Sequence, residues 1–132
     1  MTLIKSISGI RGTIGNEPGK NLTPMDVVKF TSAYAAWLKE HLQRKEYSIV
    51  LGKDARVSGT MIQSMVASTL QGCGVDVIDL GLATTPTTEM AVTQYKAQGG
   101  IILTASHNPA QWNALREGCV IIAASVCDGW FL

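Results

Sequence analysis

The sequence has no excess of charge of either sign: 11 Lys and Arg stand against 10 Asp and Glu, a formal net charge of +1. Its basic residues are scattered, with no basic stripe interleaved with aromatics, so the counterion release that drives nucleic-acid binding has no footprint. Cysteine is scarce. Cys73, Cys119 and Cys127 form no C-x-x-C pair, and their odd number leaves any disulfide framework incomplete, which favours reduced thiols. Long hydrophobic runs are missing too. The longest, Cys119 to Cys127, is too short to cross a bilayer as a helix. The opening MTLIKSISGIRG has neither the apolar core nor the small-residue cleavage site of a secretory signal. These absences argue against nucleic-acid and membrane partners and predict a cytoplasmic protein.

What is present suits one folded domain. At 132 residues and 46% hydrophobic composition, the chain is long enough to bury a core and too short for two. After a short opening strand, Thr23-Pro24-Met25-Asp26 reads as a helix start, with Thr23 as N-cap, Pro24 in the first turn and Asp26 near the positive end of the dipole. Val27, Phe30, Tyr34 and Leu38 then recur at helical spacing, a core-facing stripe. Trp37 is expected to pack and His41 to be solvated. Tyr47 to Leu51 is an aliphatic run that delivers the chain to a loop at Gly52, as a buried strand would.

Ser58 is placed to cap a second helix whose apolar residues Met61, Met65, Val66 and Leu70 end at Gly72 and Gly74. Val75 to Leu80 is the next strand, Thr85-Pro86 starts a helix towards Tyr95, and Ile101 to Leu103 follows Gly99-Gly100 as a further apolar strand. Apolar strands alternating with helices predict the α/β class, a three-layer α/β/α single domain around a mostly parallel mixed sheet. Loops at the carboxyl ends of such strands gather ligand-binding groups, which points to the segment after Leu103.

That segment, Thr104-Ala105-Ser106-His107-Asn108-Pro109, presents a hydroxyl between a strand and a proline turn. A serine so presented can carry a phosphoryl group covalently if its neighbours balance the charge. Asn108 before Pro109 is held out of the helical region, which keeps the loop in a defined shape. By its physics alone the tetrapeptide fits a turn as well as a site, and it names no substrate.

The whole string closely resembles the phosphoserine loop of the α-D-phosphohexomutase superfamily. Ser8-Gly9-Ile10-Arg11-Gly12 resembles that family's opening loop, whose arginine reaches towards the phosphoserine, a role that falls to Arg11. Gly52-Lys53-Asp54-Ala55-Arg56-Val57-Ser58-Gly59 resembles its second segment, which supports the domain beside the site, so Asp54 and Arg56 are expected to form a structural loop salt bridge. The three motifs occur in family order, and the resemblance runs from about residue 4 to residue 116.

The resemblance implies an intramolecular phosphotransferase acting on a phosphorylated hexose or hexosamine through a bisphosphate, with Ser106 as phosphoryl carrier and His107 beside it. It also implies Mg²⁺, to which Ser106 would give one ligand through its phosphate oxygen, the remaining ligands lying outside this chain. The family's lysine base is matched by Arg116, which keeps its proton at any ordinary pH and is a poor base. Residues 1–116 are therefore read as domain I, followed by an apolar stretch at 117–132 with no family resemblance. That stretch is expected to be a truncation or frameshift product, or else a strand at the sheet edge. Self-association through an exposed domain interface is expected, as is negligible turnover by the chain alone.

Overall fold

The computed structural model describes residues 3–6, 9–104, 119–126 and 129–131; for residues 4 and 6 and those from 119 onward the description is of the backbone. Along the chain run β1 (Ile4–Ser6), β2 (Gly9–Thr13), α1 (Pro24–His41), β3 (Ser48–Lys53), α2 (Gly59–Gly72), β4 (Asp76–Leu82), α3 (Thr85–Gln94), β5 (Gly99–Thr104), β6 (Cys119–Val126) and β7 (Gly129–Phe131).

α1 starts on a complete capping box. Asp26 N–H donates to Thr23 Oγ1 at 3.2 Å, and Thr23 N–H donates to Asp26 Oδ2 at 3.0 Å, which satisfies two amides that a helix start leaves unpaired. The Thr23 hydroxyl, and after it the Thr23 backbone, hold the Asp26 carboxyl below its ordinary value. The buried face comprises Val27, Thr31, Tyr34, Ala35 and Leu38, with Phe30 and Trp37 packed partly against it. His41 is exposed, as expected.

α2 departs from expectation at its start. Ser58 occupies the N-cap position but makes no side-chain cap bond, because its backbone is already helical (φ −74°, ψ −12°) rather than extended. Val66 and Leu70 face inward as expected and Met65 packs partly against the core, but Ile62 and Gln63 are buried where Met61 is 45% exposed. The helix ends where predicted. Gly74 takes the left-handed region at φ +76°, and Val75 N–H closes onto Leu70 O at 2.9 Å, the geometry of a glycine C-cap.

Seven strands form one sheet in the order β1-β2-β6-β5-β3-β4, with β7 paired to β6. β3 lies between β4 and β5 and is parallel to both. The step from β3 to β4 and the return from β4 to β5 run in opposite directions across the sheet, so crossovers of one hand put α2 and α3 on opposite faces. Ile49, Leu51, Ile101 and Leu103 accordingly share a core with α1 and α2, and Val50 packs with Ala91, Val92 and Ala97 on the α3 side. This is the expected three-layer α/β/α domain. Its parallel character resides in β4, β3 and β5, and the remaining strands pair antiparallel.

The opening is a hairpin of two strands rather than one strand and a loop. Gly9 to Gly12 of the segment read as an opening loop belong to β2, paired to β1 on one edge and to β6 on the other. β6 is an internal strand. One of its edges pairs with β5 over its last six residues, and the other is shared by β2 and β7. The stretch expected at the sheet edge therefore stands between the hairpin and the parallel half.

Candidate functional site

The carboxyl ends of β3 and β5 lie side by side, with Lys53 opposite Leu103 as the final ladder pair. Just past that pair the two chains remain tied. Asp54 N–H donates to Leu103 O at 2.9 Å, and the Thr104 hydroxyl donates to Asp54 Oδ2 at 3.0 Å. Arg56 supports the same carboxylate, its backbone N–H reaching Oδ1 at 3.2 Å and its Nε lying 3.4 Å from Oδ2. Asp54 and Arg56 thus form the expected loop ion pair. A hydrogen bond to a charged acceptor contributes about 1.5–3 kcal/mol when buried and less at side chains this accessible, 21% exposed for Arg56 and 31% for Asp54.

A second network flanks the first. Lys53 Nζ donates to Gln63 Oε1 at 2.6 Å and to Thr60 Oγ1 at 3.2 Å. Gln63 Nε2 donates in turn to Asp79 Oδ1, which also accepts Gly81 N–H at 2.8 Å. Asp79 is therefore bound into the junction of α2 and β4. Gly52 is required for a close approach: a Cβ there would meet Thr88 Oγ1 at 2.5 Å and Ile102 Cδ1 at 3.1 Å, so α3 could not seat against β3.

Arg11 enters from the other side. On β2 it pairs with Ile121 of β6, and Ile121 pairs with Thr104 of β5. Arg11 and Thr104 thus stand in one row across the sheet, two strand spacings or about 10 Å apart. Their neighbours Ile10 and Leu103 belong to the core under α1 and α2, so by strand alternation Arg11 and Thr104 project to the opposite face. Arg11 is half-buried, and its Nε is shielded from water with no hydrogen-bond partner among the described residues. An unpaired buried donor is costly, by about 1–3 kcal/mol. It suits an acceptor supplied from outside these residues.

Ser106, His107 and Arg116 lie outside the described residues. Of the predicted site residues, Arg11 is placed, and the row it shares with Thr104 brings it to the strand end two residues before Ser106. Sequence reading missed Thr104 as Asp54's partner. The two are 50 residues apart, and no local pattern joins them.

The family model described as "Phosphoglucomutase/phosphomannomutase, alpha/beta/alpha domain I" matches residues 3–121, past Arg116 and into β6. A protein of Thermococcus kodakarensis named phosphoglucomutase/phosphomannomutase is 40% identical over 108 residues, covering 82% of this chain and 23% of that protein. Phosphoglucosamine mutase of Limosilactobacillus fermentum is 32% identical over 108 residues, covering 82% and 23%. A crystal structure of a Thermus thermophilus protein, provisionally named phosphomannomutase, superposes with a TM-score of 0.76 at 28% identity, covering 96% of this chain and 26% of that one. The chain spans about a quarter of the length of these curated relatives. It belongs to the phosphoglucomutase/phosphomannomutase family of α-D-phosphohexomutases, as their α/β/α domain I.

Proposed function

We propose that the chain is the phosphoserine-bearing N-terminal domain of a phosphohexomutase, a protein that interconverts hexose or hexosamine 6-phosphates and 1-phosphates through a bisphosphate. The observation that supports this most is the buried, unpaired Nε of Arg11 in the row that ends at Thr104. A guanidinium whose Nε–H is shielded from water and unpaired among the described residues is a ready partner for phosphate oxygens.

In this reading Ser106 Oγ holds the phosphoryl group. Its O–P bond breaks as a sugar hydroxyl oxygen bonds to phosphorus, and the hydroxyl's proton passes to the freed Ser106 Oγ. The bisphosphate then returns a phosphoryl group from its other position to Ser106, whose proton goes back to the sugar oxygen released. Arg11 and His107 steady the phosphoryl oxygens. Such transfer depends on positioning and charge neutralisation. Arg116, standing where the family has lysine, would orient a phosphate rather than remove a proton.

Among the described residues there is no group of three or more His, Cys, Asp or Glu placed to take a metal ion, and Asp54 is engaged by Thr104 and Arg56. These residues do not fit a magnesium cage. The ligand this chain is proposed to give is the Ser106 phosphate. No helix among the described residues is long and apolar enough to cross a membrane, and Cys73 is a free thiol; we place the protein in the cytoplasm. The surface includes Val57 at 96% and Leu82 at 69% exposure, and self-association through such a face is expected. A strict monomer on size-exclusion chromatography would contradict it.

A second reading has its own support. Arg116 at the base position favours a non-catalytic folding or interaction module. Incubation with a radiolabelled hexose 1,6-bisphosphate, the remaining domains of a relative being supplied in trans, separates the two. Label on Ser106 is expected; an unlabelled chain beside a labelled full-length relative would favour the module.

A further inference from the structure

We infer that Thr104 and Asp54 are positioning residues for the serine loop: the hydroxyl-to-carboxylate bond between them sets where Ser106 is presented to Arg11. The inference rests on the proposed role of Ser106 and deepens it.

The regular ladder between β3 and β5 ends at Lys53 and Leu103. Strand ends beyond a ladder fray unless something holds them. Here two further bonds extend the pairing by one residue on each chain, Asp54 N–H to Leu103 O at 2.9 Å and Thr104 Oγ1 to Asp54 Oδ2 at 3.0 Å. The carboxylate is itself oriented by Arg56 through its backbone N–H at 3.2 Å and its Nε at 3.4 Å.

On its other side Thr104 is paired with Ile121 of β6. Thr104 is therefore held from both neighbours, two residues before Ser106. The same row carries Arg11. A shift of about 1 Å at such an anchor moves a phosphoryl group out of register with its partner, and displacements of that size cost on the order of 10²-fold in rate. The bond from Thr104 is available to a threonine or serine hydroxyl and to no aliphatic side chain.

The test uses the 132-residue chain with phosphoserine built in at position 106 through a reassigned codon, and reads the Arg11 Nε–H resonance against the chain carrying plain Ser106. In the native background the resonance is expected to shift on phosphorylation. Thr104→Val is expected to abolish most of that shift, with thermal stability and the amide spectrum of β3 largely kept, and Thr104→Ser to restore it. Asp54→Asn, which keeps the side-chain shape and weakens the acceptor, serves where Thr104→Val does not fold. A native chain with no shift would overturn the reading of Arg11 and Ser106 itself. A native shift that survives in Thr104→Val, or in Asp54→Asn, would leave that reading standing and overturn the inference.

Discussion

The two halves of the sheet are built on different terms. In the parallel half, β3 and β5 carry fully buried aliphatic residues, and α2 and α3 cover opposite faces. Its loops close on themselves through Asp54, Thr104, Gln63 and Asp79. Among the described residues the antiparallel half has no helix alternating with its strands, and its β1–β2 hairpin reaches the rest of the sheet through β6. The parallel half thus supplies rigidity and the anchor of the serine loop. The antiparallel half supplies Arg11, and β6 sets the distance between them.

Breaking the rigid half should have the largest effect. Leu51 is fully buried at the centre of the core, and Leu51→Ala is expected to cost about 2–5 kcal/mol, lowering the urea midpoint for both halves together. Breaking the bridge should act locally. Ile121→Pro removes a ladder donor from an internal strand and is expected to cost about 1–3 kcal/mol, the scale for a buried backbone group left unpaired. Hydrogen exchange should show Gly9–Thr13 losing protection while Ile49 to Leu51 stay protected. Equal loss in both regions would erase the distinction between the halves.

Smaller effects sharpen the comparison at α1, which packs against both halves. Thr23→Ala removes one side of the capping box and is expected to cost about 1 kcal/mol, read by thermal unfolding. The Asp26 carboxyl has a folded value lowered from the ordinary 3.8. Its contribution is complete above that ordinary value and fades as pH falls through the lower folded value. Acid titration of stability should show this slope in the native chain and lose it in Asp26→Asn.

Legibility in the sequence followed how local each determinant was. Thr23, Pro24 and Asp26 lie within four residues, and the α1 start was readable in full. Gly72 and Gly74 ended α2 for the same reason. Ser58 misled because a cap needs an extended backbone as well as a hydroxyl, and its φ and ψ are set by the loop before it. Gly9 and Gly12 lie in the segment read as an opening loop, yet it is a strand because β6 and β1 pair with it. The apolar run of β6 was visible, but its place between β2 and β5 depends on partners more than 15 residues away in the sequence. The serine loop was found through its family resemblance, and the bond that anchors it spans 50 residues.

The central claim is that the Arg11 guanidinium and the Ser106 phosphate meet. Solid-state dipolar recoupling between ¹³C at Arg11 Cζ and ³¹P at phosphoserine 106 measures that contact directly. Strong dephasing is expected, in keeping with charge-assisted N···O contacts of about 2.8 Å. Absence of dephasing in a folded, fully phosphorylated chain would contradict the account.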